Sequence, residues 1–223
     1  IISILNISKK IRYWVYDAIE MSSLNISKVK GNILYSEPKK ALKNLHIKAT
    51  VKNLDYTYHK AINPIKTAYT DLEFKNGILN IKPQDAYSYG IPLKDSWIKV
   101  DFSKKEELLT INLLFDGMLN ENILHILKTY RITLPFKQTK GTIDTNLKIT
   151  VNLRTIAVKA LGIFYAKDVS INYSGLDIDI FDTTVKLNNF DVIANNMHAR
   201  YKDIAKADVD LNFNAKKFEG LMD

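Results

Sequence analysis

The 223-residue sequence has no cysteine, only five prolines, and eight glycines that all stand singly. The missing thiols exclude disulfides, thiolate nucleophiles and cysteine-ligated metals. Their absence suits a periplasm without requiring one. Isolated glycines leave no phosphate-cradling loop, dinucleotide fingerprint or nucleophile elbow. The four histidines, His46, His59, His125 and His198, are scattered, with no carboxylate beside them at metal-ligand spacing. Asp177, Asp179 and Asp182 resemble a calcium loop only loosely, since the glycine and the distal glutamate of such a loop are missing. Basic residues are not interleaved with aromatics as on a nucleic-acid stacking platform. These absences point away from an enzyme, a cofactor site, a metal site and a nucleic-acid partner. There is no run of 18 apolar residues and no signal peptide. The chain starts at Ile1 and stops just after a strand-like run, which reads as a segment of a longer protein whose membrane anchor lies elsewhere.

What is present is apolar surface in a regular arrangement. Apolar residues make up 46% of the chain and charged residues 25%, the balance of a globular protein rather than a disordered one. The formal charge of +8 comes almost entirely from lysines spread along the chain. They describe either a solvated surface or an attraction to anionic lipid or nucleic acid. Near the N-terminus, Ile7, Ile11, Trp14, Val15, Ala18 and Ile19 recur at helical spacing behind a Ser8 cap, predicting a helix over 7–20 that caps a sheet or lies on a membrane surface. A second helix is expected over 120–130, from Ile123, Leu124, Ile126 and Leu127, with Pro135 closing the region.

Elsewhere the period is two. Leu45 to Val51, Ile98 to Phe102, Leu109 to Phe115, Ile143 to Leu153 and Val209 to Ala215 each place alternate apolar residues on one face. Two turns reinforce the pattern. Folding "VSINYSGLDIDIF" at Ser174-Gly175 sets Tyr173 against Leu176, Ile171 against Ile178 and Val169 against Ile180. Folding "LEFKNGILNI" at Asn76-Gly77 sets Phe74 against Leu79 and Leu72 against Ile81. Eleven to thirteen strands in meander order are expected, in a first β section over 24–117 and a second over 141–215. Two short helices cannot cover one face of so many strands. Three solutions stay open on this ground: a sandwich, a closed barrel, or a curled sheet whose dry face is left open and filled by something else.

Taken in order, "IRYWVYDAIE", the stretch from "ATVKNLDYTYHK" through "LEFKNGILNIKPQ" to "SWIKVDF", and "ALGIFYAKDVSINYSGLDIDIF" resemble the AsmA-like superfamily of diderm bacteria, and within it the YhdP-type (DUF3971-like) region related to TamB. The matching features are the helix tryptophan Trp14, an aromatic at Tyr56 or Tyr58, Pro64, the pairs Leu72/Phe74 and Leu79/Ile81, and Gly90, with Gly141 and Gly162 at later strand starts. The likeness spans roughly residues 10–215. It implies a mainly β fold: a long curled antiparallel sheet forming an open groove or trough, with about two short α-helices. It implies a single segment over 1–223, anchored in the inner membrane through a part not present here and reaching across the periplasm. The function implied is that of the bridge-like lipid-transfer proteins, carrying phospholipid toward the outer membrane with no catalytic residue, no cofactor and no nucleic acid. The expected groove lining is Leu72, Phe74, Leu79, Ile81, Leu109, Ile111, Leu113, Leu147, Ile149, Val151, Val169, Ile171, Tyr173, Leu176, Ile178 and Ile180. The alternative from another class is a structural or adhesive β-sandwich with a closed core.

Overall fold

The computed structural model describes residues 17–32, 43–57, 60–129, 132 and 134–215. Alternating apolar sequence gives strands almost throughout. They are β1 (Ile19–Glu20), β2 (Ser23–Lys30), β3 (His46–Tyr56), β4 (Ile65–Lys75), β5 (Ile78–Pro83), β6 (Tyr87–Ser88), β7 (Ile91–Pro92), β8 (Trp97–Asp101), β9 (Leu108–Gly117), β10 (Lys137–Asn152), β11 (Val158–Tyr173), β12 (Leu176–Asn188), β13 (Asp191–Tyr201) and β14 (Ala205–Asn214). One helix stands between β9 and β10 among the described residues: α1, Glu121–Thr129. Its first turn is capped by Asn120, whose Oδ1 accepts from the backbone N–H groups of Asn122 and Ile123 at 3.1 Å each.

The protein is mainly β, built as one large open antiparallel sheet that does not close into a barrel. The barrel solution therefore falls away. The chain divides into two compact units, Ile1–Leu113 with Ile149–Val158, and Leu114–Lys148 with Lys159–Asp223. In the first, the order is β1–β3–β4–β5–β8–β9 and then the end of β10, with β2 also pairing β3 and β6–β7 lying beside β4. In the second, the rest of β10 is followed by β11–β12–β13–β14. Neighbours in sequence are mostly neighbours in space, as short connections dictate.

The helix expected over 7–20 falls mostly outside the described residues, but its last turn is corrected. Ile19 and Glu20 pair with Tyr56 and Asp55 as β1, and the Thr57 N–H donates to the Ala18 carbonyl at 2.8 Å. Docking on the edge of β3 outweighs the helical spacing there. Among the described residues, fourteen strands exceed the expected count because β1, β6 and β7 are two-residue bridges without a legible period.

Two residues explain how long strands keep one dry side. Asn53 in β3 and Asp168 in β11 adopt left-handed backbone, φ 49° and 53°, a conformation Asn and Asp tolerate better than most residues. Each reverses the facing of the residues after it. In β3 the buried residues are Ala49 and Val51 before Asn53, then Tyr56 after it; in β11, Ala166 before Asp168, then Val169. The pairing register continues through both sites. A slipped parity along the sequence thus preserves a constant dry side in space.

Candidate apolar faces

Both predicted hairpins form in the predicted register. Phe74 pairs with Leu79 and Leu72 with Ile81. Tyr173 pairs with Leu176, Ile171 with Ile178 and Val169 with Ile180. Both central residues of each turn have positive φ: Asn76 54° and Gly77 74°, Ser174 50° and Gly175 85°. This primed turn matches the right-handed twist of the strands it joins.

Cross-strand pairing then lines up the apolar residues of the first unit. One row runs Ile26–Ala49–Leu72–Ile81–Ile98–Ile111 and the next Val29–Ile47–Phe74–Leu79–Val100–Leu109, each crossing β2, β3, β4, β5, β8 and β9. At about 4.8 Å between strands, each row covers roughly 24 Å. At one end Val100, Leu109, Val151 and Leu153 form a buried cluster, with Leu79, Ile98, Phe102, Ile111 and Ile149 packed against it. Phe74 and Phe102 meet at 6.4 Å between ring centroids. At the other end the row runs into the open: Leu24, Ile26 and Val29 of β2 are exposed, Val29 by 64%.

The second unit carries a comparable face. Phe164–Val185–Ala194–Leu211 and Gly162–Leu187–Val192–Phe213 each cross β11 to β14, and Val169–Ile180–Ala199–Ala207 runs parallel to them. Burial falls steeply toward the hairpin tip. Val169 is 2% exposed, Ile171 and Ile178 are half-buried, and Tyr173 and Leu176 are both 46% exposed.

Of the expected lining, Leu72, Phe74, Leu79, Ile81, Leu109, Ile111, Leu113, Ile149 and Val151 lie in the first unit, and Leu147, Val169, Ile171, Tyr173, Leu176, Ile178 and Ile180 in the second. Leu109, Val151, Val169 and Ile180 are buried; the remainder are half-buried, apart from the two exposed tip residues. The largest side chains under 2% exposed among the described residues are only Val51, Val169 and Thr70. No described Leu, Ile or Phe reaches that depth. The face is therefore a graded surface rather than a sealed interior.

Residues outside the expected lining complete the rows. Ile98 and Val100 show their alternation in the sequence. Leu24, Ile26 and Val29 do not, because an irregularity at Ser27 puts one extra residue between Ile26 and Lys28 and breaks the period of two. The opposite face is polar and paired. Ser170 donates to Asp179 at 2.7 Å and Arg200 to the other oxygen of Asp179 at 3.0 Å, which together hold that carboxyl below its usual range. His46 donates to Glu73 at 2.9 Å, lowering the Glu73 pKa. His198 donates through Nδ1 to Asp208 at 2.5 Å, with Asp182 3.8 Å from Nε2; the bond to Asp208 raises the His198 pKa.

Among the described residues no group of three or more His, Asp or Glu side chains is placed to hold a metal ion, and no helix is long and apolar enough to cross a membrane. Comparison with family models, curated proteins and solved structures found no match.

Proposed function

We propose that the chain is a lipid-carrying β segment, which shelters phospholipid acyl chains against its apolar sheet face between an inner and an outer membrane, as the AsmA-like resemblance implies. The observation that carries this reading is the pair of uninterrupted apolar rows across six strands, running from a buried cluster at Val100 and Leu109 to exposed Ile26 and Val29. An apolar surface that extensive is unfavourable in water without a filling.

The energetics favour such a carrier. Each methylene in water costs about 0.8 kcal/mol, so a two-chain lipid with about 28 methylenes faces a barrier on the order of 20 kcal/mol if it crosses bare. A surface of Leu, Ile, Val and Phe side chains removes most of that barrier. The head group stays in water, so selection among head groups is weak. Flow requires broad, shallow binding, and a graded face without a deep pocket suits it. The polar face, with its bonded carboxylates, stays solvated. The carrier reading places the chain in the periplasm, with its anchor in a segment outside this sequence.

The test is direct. The purified chain is extracted with organic solvent and the extract assayed for phospholipid, and uptake of a fluorescent phospholipid is measured. Co-purifying lipid and saturable uptake support the carrier. A dry protein without uptake overturns it in favour of a structural or adhesive β-domain with a closed core. Ile149→Asp, beside the buried cluster, separates the two further: a carrier loses uptake and is destabilised only moderately, whereas a closed core unfolds outright.

A further inference from the structure

Lys159, Leu161, Ile163, Tyr165 and Lys167 are alternate residues of β11 ahead of the facing reversal at Asp168. They share the side opposite buried Gly162 and Ala166, away from the apolar rows. All five are exposed, the three central ones by 41%, 53% and 44%. From lysine to lysine the strip measures roughly 27 Å at about 3.4 Å per residue. Across the next strand, Asn188 faces Leu161, Lys186 faces Ile163 and Thr184 faces Tyr165. One strand further, exposed Ile193 faces Lys186. Asp182 stands opposite Lys167 and Asp191 opposite Asn188, and exposed Asp144 lies on β10, the other neighbour of β11.

A contiguous exposed apolar strip on an otherwise polar face marks an interaction surface. Its composition decides the partner. The centre of a protein–protein interface is depleted in lysine, yet here Lys186 sits beside Ile163, the most exposed apolar residue of the strip, and lysines close both ends. A bilayer surface suits that mixture: apolar side chains enter the acyl boundary, a tyrosine phenol stays at head-group level, and lysine stems run along the apolar surface to reach phosphates. We propose that the outer strip from Lys159 to Lys167, with Lys186 and Ile193, docks the second unit on an anionic phospholipid bilayer. It uses the face opposite the acyl-carrying rows and stands independently of them.

The experiment is co-sedimentation of the full chain with phosphatidylcholine vesicles, with and without phosphatidylglycerol. The expected result is binding to the anionic vesicles, weakened by salt. Lys186→Gln should reduce it by about fivefold, the worth of one lysine at an anionic surface. Ile163→Asp should reduce it at least tenfold with an unchanged circular dichroism spectrum and unchanged uptake of fluorescent lipid. Lys206→Gln, away from the strip, should bind as wild type. Equal binding to both vesicle types, no binding to either, or wild-type binding by both strip variants would overturn the proposal. Joint loss of uptake and sedimentation in a folded Ile163→Asp would also overturn it, because the two faces would then not be separate. Failed uptake with intact, strip-dependent sedimentation would count against the carrier alone.

Discussion

The hairpins at Asn76-Gly77 and Ser174-Gly175 have the same turn conformation, the same register logic and apolar pairs on one side. Their surroundings differ. In the first, β5 continues into β8, so that Leu79 faces Val100 and Ile81 faces Ile98, and Phe102 packs on Phe74. In the second, β13 pairs with β12 only as far as Asp179 at this end, and the hairpin tip extends past it. The apolar pairs of the first hairpin are accordingly half-buried, while Tyr173 and Leu176 stand open. Local chemistry sets pairing; neighbouring strands set burial.

The widest gap between the two regions is expected on placing a carboxylate at each. Val100→Asp, in the cluster with Leu109, Val151 and Leu153, should cost more than about 4 kcal/mol and unfold the first unit, because an unpaired charge is buried. Leu176→Asp should change stability by less than about 0.5 kcal/mol, as at an ordinary surface site. Urea denaturation followed by tryptophan fluorescence and circular dichroism measures both. Similar losses at the two sites would mean that the second tip is covered in solution.

Truncation should give a smaller contrast in the same direction. Leu109→Ala is expected to cost about 2–4 kcal/mol through lost transfer energy and a residual cavity, and Tyr173→Ala well under half of that. The turns themselves should behave alike. Gly77→Ala and Gly175→Ala each force a side chain into left-handed backbone, at about 1–2 kcal/mol. An added Cβ meets ordinary contacts at 3.4 Å from Ser103 in the first and open space in the second. A large difference between these two glycine variants would contradict a locally encoded turn.

The smallest effect concerns pH and has opposite signs in the two units. Glu73 has its folded pKa lowered by the bond from His46. Its contribution is present above the unfolded value of 4.5 and is lost as pH falls through the folded one. His198 has its folded pKa raised by Asp208. Its contribution is complete below 6.5 and is lost as pH rises through the higher folded value. Amide exchange should therefore quicken on the β3–β4 rung in acid and on the β13–β14 rung at alkaline pH. Glu73→Gln and His198→Gln should each flatten the corresponding dependence, and unchanged profiles in these variants would assign the effect to other groups.

How far the sequence can be read follows from the range of each interaction. Both hairpin registers, the long alternating run Ile143 to Leu153 and α1 are legible, because a turn and a side-chain period act within a few residues. The place of β2 is hidden by the irregularity at Ser27, and the facing reversals at Asn53 and Asp168 by left-handed backbone that only the folded strands display. The end of the expected N-terminal helix is a strand instead because Ile19 and Glu20 are claimed by Tyr56 and Asp55, far along the chain.

The order of residues alone dictates a succession of strands with one apolar side, joined by turns in which Asn76, Gly77 and Gly175 admit positive φ at low cost. The assembled sheet settles the rest: which apolar residues line up into rows across six strands, which are buried and which stay exposed. Alternation is a property of a strand alone, whereas burial belongs to whatever the neighbouring strands bring beside it.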